Sequence, residues 1–262
     1  MSAKIIWMSD LHFTADGDVL GHDPRVRLTR AVAHINAHHR DAAYCVISGD
    51  LVNRGTVADY AALAGILAQA QVPVLPMVGN HDDRMLLRQA LVVPDDAMDN
   101  FVQYAVTVGA RRLLCLDTLT PGADHGTLCP ARLAWVAAQL DAAAGAPVTL
   151  FLHHPPVALG LPMQDEDRLL DADGLRGLVM DYAGPLNLCI GHVHRPITGT
   201  WAGRPFATMR AVLYQAPAPV PAWDWTSFAP AQEDPQIGVL TCDGEDLQIQ
   251  YETFCRYADG AR

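Results

Sequence analysis

The sequence GDLVN, residues 49–53, follows the apolar run YCVIS, residues 44–48. The apolar run predicts a short buried strand, and Gly49 lets the chain turn sharply where that strand ends. Asp50 is then presented at the carboxyl end of the strand, where open α/β sheets bind their ligands. An aspartate after a strand is usually a helix cap or a turn former, so Asp50 alone does not identify a site.

Four other apolar runs also end in residues that can bind a ligand. The segments that follow these runs are Asp10-Leu11-His12, Gly79-Asn80-His81-Asp82, His153-His154-Pro155-Pro156 and Gly191-His192-Val193-His194. Chance would rarely place so many Asp, Asn and His residues at strand ends, so we interpret the five segments as parts of one site. Asp10 and His12 are two residues apart, so both can reach one point only if the chain bends as it leaves the sheet. His192 and His194 have the same spacing.

The five segments resemble the signature of the calcineurin-like binuclear metallophosphoesterases, which reads D-x-H, G-D, G-N-H-[DE], H and G-H-x-H. All five blocks occur in that order between residues 5 and 194. The variants SGDLVN, GNHDD and HHPP are most similar to those of the class III cyclic-nucleotide and glycerophosphodiester phosphodiesterases. The resemblance implies an α/β fold in which two mixed β-sheets pack as a sandwich flanked by helices, with the metals at one end.

The resemblance also implies two metal ions that share Asp50, which is thereby both a ligand and a catalytic residue. The first ion would take Asp10, His12, Asp50 and His194, and the second would take Asp50, Asn80, His153 and His192. Mixed imidazole and oxygen ligands suit Fe, Mn, Co or Zn, as two divalent or iron-containing ions. Two divalent ions and the two carboxylates leave about two positive charges, which would attract a phosphodiester anion.

His81 follows the predicted ligand Asn80, so its side chain should point elsewhere. The resemblance implies that His81 contacts the phosphate or donates a proton to the leaving oxygen, and Asp82 or Asp83 is a candidate to orient it. A histidine that is merely hydrogen-bonded beside the ligands is the alternative.

Asn53 and Arg54 are the remaining candidate substrate contacts. The segment Asn53-Arg54-Gly55 resembles the Asp-Arg-Gly of the protein phosphatase branch, in which the arginine holds phosphate. An exposed arginine near the start of a helix, without a role in binding, would explain Arg54 equally well. We expect His154 to support the neighbouring ligand. His22 and His125 lie in predicted loops and are candidates to overhang the site.

Capping residues and apolar spacing predict a first helix that begins at Pro24. Further helices are predicted over residues 56–71, 84–92, 130–143 and 172–182. Strands are predicted over residues 104–117 and 206–213, and a hairpin over residues 236–251. His34, His38 and His39 fall near the end of the first helix, where polar residues are ordinary. Residues 215–235 contain five prolines and the aromatic residues Trp223, Trp225 and Phe228, which is typical of a lid or a dimer contact.

Composition narrows the class of protein. The 262 residues are 50% hydrophobic, which is enough for one sizeable core, so we expect a single domain over residues 1–262. The net charge of −11 argues against a nucleic-acid groove. No apolar run approaches the ~20 residues of a membrane helix, and the start of the chain lacks a signal-peptide pattern. We therefore expect a cytoplasmic protein without a membrane partner, and the candidate assembly is a homo-oligomer that is a dimer or is built from dimers.

The function predicted from these patterns is metal-dependent hydrolysis of phosphodiester bonds in small substrates such as glycerophosphodiesters, cyclic nucleotides or related organophosphate diesters. A phosphomonoesterase of the same superfamily is the alternative, but its dianionic substrate favours extra positive groups and only Arg54 is a candidate. A non-catalytic metal-binding scaffold is disfavoured because all seven predicted ligand positions are filled.

Overall fold

The computed structural model describes residues 2–94 and 97–259, in which eleven strands form two mixed sheets. The strands are β1 (Ala3–Met8), β2 (Tyr44–Ile47), β3 (Val74–Pro76), β4 (Tyr104–Val108), β5 (Arg111–Cys115), β6 (Val148–Leu152), β7 (Leu186–Ile190), β8 (Thr198–Trp201), β9 (Arg204–Thr208), β10 (Gln236–Asp243) and β11 (Asp246–Thr253). The helices are α1 (Pro24–His38), α2 (Val57–Leu67), α3 (Arg84–Ala90), α4 (Pro130–Ala143), α5 (Pro162–Asp165) and α6 (Ala172–Asp181), followed by a 3₁₀ turn over Tyr257–Asp259.

The first sheet has the order β11-β10-β1-β2-β3, and the second has the order β4-β5-β6-β7-β9-β8. Strands β1, β2 and β3 are parallel, and the antiparallel hairpin β10–β11 pairs with the free side of β1. In the second sheet β5, β6, β7 and β9 are parallel, with antiparallel β4 and β8 at the two edges. The predicted pair of mixed sheets is therefore confirmed.

The two sheets face each other across the main apolar core. Trp7 of β1 packs edge-on against Phe151 of β6, with ring centroids 6.2 Å apart, and both side chains are fully buried. A second apolar cluster lies on the other face of the second sheet and contains Val136 and Leu140 of α4 and Leu175 of α6. The helices thus cover the sandwich, which agrees with the predicted flanking helices.

Some elements end or begin elsewhere than predicted. Helix α2 ends at Leu67 rather than at Gln71, because the Asn36 side chain binds the Gln69 carbonyl and the Gln71 N–H, each at 2.8 Å. Helix α3 ends at Ala90 rather than at residue 92, and α6 ends one residue early. The strand predicted over residues 206–213 is β9, which ends at Thr208. The largely exposed β8 and the one-turn α5 were not predicted, because neither has an apolar pattern.

A buried ion-pair network connects the two layers of helices. Asp117, just beyond β5, is fully buried and accepts hydrogen bonds from the Arg84 guanidinium at 2.6 and 2.8 Å. It also accepts from the N–H groups of Val102 at 2.9 Å and Leu119 at 3.1 Å. The Arg132 guanidinium donates to the backbone carbonyl of Asp117 at 2.7 Å. Since Arg84 begins α3 and Arg132 lies in α4, Asp117 ties these helices together.

We expect Asp117→Asn to lower the free energy of unfolding by about 3–5 kcal/mol, because it leaves buried arginine charge without its partner. Urea denaturation followed by circular dichroism measures the change. Asp141→Asn is the matched control, because Asp141 is exposed on α4 and such surface changes alter stability by about 0.5 kcal/mol or less. Equal urea midpoints for the two variants would show that the network contributes little.

Candidate metal centre

The segments that follow β1, β2, β3, β6 and β7 meet at one edge of the sandwich and form the floor of a cavity of about 390 Å³. The predicted site residues on its lining are His12, Asp50, Asn80, His81, His192 and His194. Asp10 and His153 are fully buried beneath them. All seven predicted metal ligands are therefore gathered at this edge.

The backbone bends at the predicted ligands themselves. Five of the seven have positive φ: Asp10 (57°), His12 (40°), Asp50 (50°), His192 (72°) and His194 (50°). Residues other than glycine rarely adopt this left-handed conformation, and it persists where the surrounding structure enforces it. Here the Asp10 N–H donates to the Gly49 carbonyl at 3.1 Å and the His12 N–H to the Asp50 carbonyl at 3.0 Å. These bends let ligands two residues apart approach one point.

The first group of ligands consists of Asp10, His12, Asp50 and His194, whose donor atoms all lie within 4.8 Å of one another. The Nε2 atoms of His12 and His194 face each other at 3.0 Å. Asp10 Oδ1 lies 3.4 Å from His194 Nε2, and Asp50 Oδ2 lies 3.6 Å from His12 Nε2. This candidate metal site matches the set predicted for the first ion.

The second group lies on the other side of Asp50. His153 Nε2 is 3.2 Å from Asn80 Oδ1, 3.3 Å from His192 Nδ1 and 3.3 Å from Asp50 Oδ2. Asp50 Oδ2 therefore lies against His12 of one group and His153 of the other. This is the arrangement expected of a carboxylate that bridges two ions.

The donor atoms of both groups fit metal ions. His153 Nδ1 donates to the Ser48 carbonyl and His194 Nδ1 to the Tyr214 carbonyl, each at 2.9 Å. Since these nitrogens carry the hydrogen, the Nε2 lone pairs of both rings face the cluster. Within the described residues, Asp10 Oδ2 is buried without a hydrogen-bond partner. Buried polar atoms are normally satisfied, so this oxygen is available to a cation.

Charge and burial set the protonation states of these residues when no cation is bound. Burial lowers the pKa of His12 and of His192 to about 3, so both imidazoles are neutral at pH 7. Burial by itself would raise the pKa of Asp10, but the neighbouring His194 lowers it to about 2. Burial opposes protonation of His153, but the charge of Asp50 outweighs it and raises the pKa of His153 to about 9. The Asp50 carboxylate thus attracts a cation to this position.

His154 supports the centre from outside it. Its Nδ1 lies 2.7 Å from Thr118 Oγ1, and its Nε2 lies 3.0 Å from the Asp124 carbonyl. Both ring nitrogens therefore have other partners, although the ring packs edge-on against that of His153 at 4.9 Å. These contacts support the prediction that His154 positions His153, although the donor atoms of His153, His154 and His192 also lie within 4.8 Å of one another.

His81 lies at the cavity floor with an exposed side chain. Its backbone N–H donates to Asp50 Oδ1 at 3.0 Å, and its ring packs edge-on against His12 at 4.7 Å. Its Nδ1 donates to the Asn53 carbonyl at 2.9 Å. The charge of Asp50 raises the pKa of His81, which favours the protonated ring.

The carboxylates expected to orient His81 have other partners. Asp83 accepts from the Leu86 N–H at 2.9 Å and caps α3. Asp82 accepts from the N–H groups of Leu51, Val52 and Gly79 and from the Tyr60 hydroxyl, at 2.8–3.3 Å. The Asn53 carbonyl therefore orients the ring, whereas Asp82 fixes the turns that carry Asp50 and Asn80. Sequence patterns did not indicate this role, since it depends on backbone N–H groups that any residue would offer.

The side chains of the other candidates do not line this cavity. Asn53 and Arg54 line a separate cavity with Thr14 and residues 16–20, and the Arg54 side chain is 60% exposed with Nη2 3.4 Å from Asp16. His22 is buried with its ring 5.2 Å from that of Tyr257 and does not overhang the site. His125 is half-buried beside Asp124, which is the residue of this pair that lines the cavity.

Two walls above the cavity floor were not predicted in full. Tyr214, Trp225 and Phe228 form an aromatic wall, in which the Tyr214 ring lies 4.4 Å from that of His194 and 6.1 Å from that of Phe228. Asp124, Gln164 and Asp167 also line the cavity and give it an acidic wall. Of these residues, only Trp225 and Phe228 belong to a segment that the sequence pattern singles out, because the others lie in segments without a motif.

The comparisons with known proteins agree with this geometry. The family model for calcineurin-like phosphoesterases matches residues 3–196. A "Probable cyclic nucleotide phosphodiesterase" from Rhodopseudomonas palustris is 40% identical over 217 residues, covering 81% of this chain and 79% of the relative. A "Glycerophosphodiester phosphodiesterase" from Enterobacter lignolyticus is 30% identical over 215 residues, covering 80% of this chain and 77% of the relative.

A solved structure has the same fold. It is that of a dimetal phosphatase from Danio rerio, which superposes with a TM-score of 0.64 at 14% identity and covers 97% of this chain and 99% of its own. Among the residues that the structure describes here, no helix combines the length and apolar character needed to cross a membrane.

We expect Gly79→Ala to reduce metal binding strongly while the protein stays folded. A Cβ at residue 79 would lie 2.3 Å from Asp50 Oδ1 and 2.7 Å from the His153 ring, so both ligands would have to shift. Metal content per chain after equilibrium dialysis measures the effect. Gly65→Ala in α2 is the matched control, because its Cβ would meet no atom within 4 Å. Equal metal content in the two variants would contradict the assigned ligand positions.

Proposed function

The chain belongs to the calcineurin-like phosphoesterase family and is a phosphodiesterase, and we propose that its natural substrates are 3′,5′-cyclic nucleotides. The proposal includes the ligand sets described above, with Asp50 shared between two metal ions. Iron, manganese, zinc and cobalt all suit these ligands. The cytoplasmic location and a dimer-based assembly stay predictions from the sequence.

The cavity lining supports a diester rather than a monoester as substrate. When bound, the two cations supply the positive charge that attracts the phosphate and offsets the charge that develops during hydrolysis. Among the described residues that line the cavity there is no lysine or arginine, since Arg54 lines another cavity. A singly charged diester therefore fits better than a monoester dianion, which would lack a second cationic contact.

His81 is the proposed general acid. Its Nδ1–H is held by the Asn53 carbonyl, so Nε2 is the nitrogen that can carry a second proton to the leaving oxygen. The neighbouring Asp50 raises the pKa of His81 and keeps that proton available to higher pH. The same protonated ring would contact the phosphate before the bond breaks.

The aromatic wall carries the proposal of a nucleotide substrate. Trp225 lines the cavity with 54% of its surface exposed, and its ring lies 5.6 Å from that of Phe228. Exposed aromatic rings at the mouth of a phosphate site are suited to stack on a nucleobase. We therefore propose that residues 215–235 act as a lid, which is fastened at its base by the hydrogen bond from the Ala231 N–H to the Gln215 carbonyl at 2.9 Å.

A glycerophosphodiester with a cationic alcohol is the second candidate, and the acidic wall favours it. Asp124 and Asp167 line the same cavity as the aromatic rings. Aromatic faces and carboxylates together are suited to bind an ammonium group such as that of choline. Both candidates place the phosphate over the cavity floor and differ in the wall that holds the rest of the substrate.

We expect His81→Ala to keep its metal content and to lower kcat/KM for diesters with an alkoxide leaving group by ~10²–10⁴. The loss should be smaller for bis(p-nitrophenyl) phosphate, because p-nitrophenolate leaves without a proton. Steady-state kinetics on both substrates measures the difference. His125→Ala, a histidine outside the cavity lining, should change neither. Equal losses for both leaving groups would show that His81 only holds the phosphate.

The proposed substrate is tested by a kinetic panel of a 3′,5′-cyclic nucleotide, glycerophosphocholine, bis(p-nitrophenyl) phosphate and p-nitrophenyl phosphate. We expect the highest kcat/KM for the cyclic nucleotide and the lowest for the monoester. Trp225→Ala should raise KM for the cyclic nucleotide about tenfold, since stacking on one base contributes about 1–3 kcal/mol.

Trp223→Ala is the matched control for this panel, because Trp223 packs on Phe228 with ring centroids 5.2 Å apart but does not line the cavity. If glycerophosphocholine is the best substrate and Asp167→Asn raises its KM, the second candidate replaces the first. A monoester that is the best substrate would overturn both.

A further inference from the structure

A second group of metal-type side chains lies away from the catalytic edge, where the end of α1 packs on strand β11. His34 Nε2 is 3.2 Å from Glu252 Oε1, and His39 Nε2 is 3.0 Å from Glu252 Oε2. One donor atom from each of the three residues lies within 4.8 Å of the others. We call His34, His39 and Glu252 the helix-end cluster.

We propose that the helix-end cluster binds one zinc ion, separate from the catalytic centre. Zinc accepts imidazole nitrogen and carboxylate oxygen at about 2.0–2.2 Å, which places neighbouring ligands of a tetrahedral ion about 3.3 Å apart. The contacts of 3.0 and 3.2 Å in the cluster are close to that separation. They also resemble the contacts of 3.0–3.6 Å among the ligands of the catalytic centre.

Local structure brings the two histidines together. His39 is the C-cap of α1, with φ −135° and ψ 30°, and its N–H donates to the Ile35 carbonyl. This departure from helical geometry turns the His39 ring beside that of His34, with centroids 5.8 Å apart. Glu252 then comes from β11, at the edge of the first sheet.

The two histidines of the helix-end cluster are largely buried, whereas Glu252 is partly exposed to solvent. The exposed fraction of the side chain is 17% for His34, 9% for His39 and 40% for Glu252. Burial lowers the pKa of His34, which favours the neutral imidazole that binds metal. The exposed side of Glu252 admits the ion and leaves one coordination position for water.

The helix-end cluster should bind zinc more weakly than the catalytic centre. It provides three protein ligands, and His39 Nδ1 is buried without a hydrogen-bond partner among the described residues. In the catalytic centre, by contrast, backbone carbonyls hold the second nitrogens of His153 and His194. Such outer contacts raise ligand basicity and typically change metal affinity by about 10- to 100-fold.

His38 provides a control on the same helix end. Its ring lies 4.7 Å from that of His34 but 6.4 Å from that of His39, and its side chain is exposed. We assign no ligand role to His38. A cluster in which Glu252 merely accepts hydrogen bonds from two histidines would have the same contacts but no affinity for zinc, so metal counting separates the two cases.

The test is the number of zinc ions bound per 262-residue chain after dialysis against buffered zinc of increasing free concentration. Wild type is expected to bind one more zinc ion than His39→Ala or Glu252→Gln, whose affinity for that ion should fall at least tenfold. His38→Ala should bind as many ions as wild type. Activity and circular dichroism of each variant show that the catalytic centre and fold are intact.

Two outcomes would overturn the proposal. If the wild type and both cluster variants bind the same number of ions, any additional zinc lies elsewhere. If wild type and a His34→Ala/His39→Ala double variant bind equal numbers of zinc ions, the cluster is only a hydrogen-bonded contact. Neither result depends on the substrate of the catalytic centre.

Discussion

The Asp50 carboxylate, placed between two groups of histidines, is the interaction on which the rest of the structure depends. Asp50 is 2% exposed, and Asp10 is fully buried beside it. Buried carboxylates are stable only with cationic or hydrogen-bonding partners. For Asp50, the surrounding chain supplies the His153 ring at Oδ2 and the His81 N–H at Oδ1. Asp82 accepts hydrogen bonds from the neighbouring turns and holds them in place. The two sheets position these turns, and the proposed metal ions would complete the charge balance.

This constraint explains how an acidic protein can act on an anion. The net charge of −11 would repel a phosphate from most of the surface. The two proposed metal ions would reverse the local sign at the cavity floor, because their positive charge exceeds that of the two carboxylates and neutral imidazoles add none. In the proposed function, the floor attracts the phosphate, whereas the acidic and aromatic walls hold the remainder of the substrate. Both parts belong to one cavity of about 390 Å³.

The sequence was most informative where apolar strands end in polar residues. Buried strands β1, β2, β6 and β7 have continuous apolar runs, so their ends and the ligands that follow could be predicted. Strand β8 is largely exposed and left no such signal. Tyr214 and Asp167 lie in segments without a motif, and only tertiary structure brings them to the cavity. His39 and Glu252 are 213 positions apart in the chain, so their contact has no local pattern.

At the predicted ligands with positive φ angles, the backbone conformation that places the side chain in the site also lowers the stability of the fold. A non-glycine residue in the left-handed region costs about 1–2 kcal/mol, and five ligands adopt it. Glycine at these positions would relieve the backbone while removing a metal ligand. Selection for thermal stability alone would therefore drive the chain toward an inactive protein of the same fold. The left-handed backbone at these five residues is thus a local cost in stability that accompanies the placement of their side chains at the cavity floor.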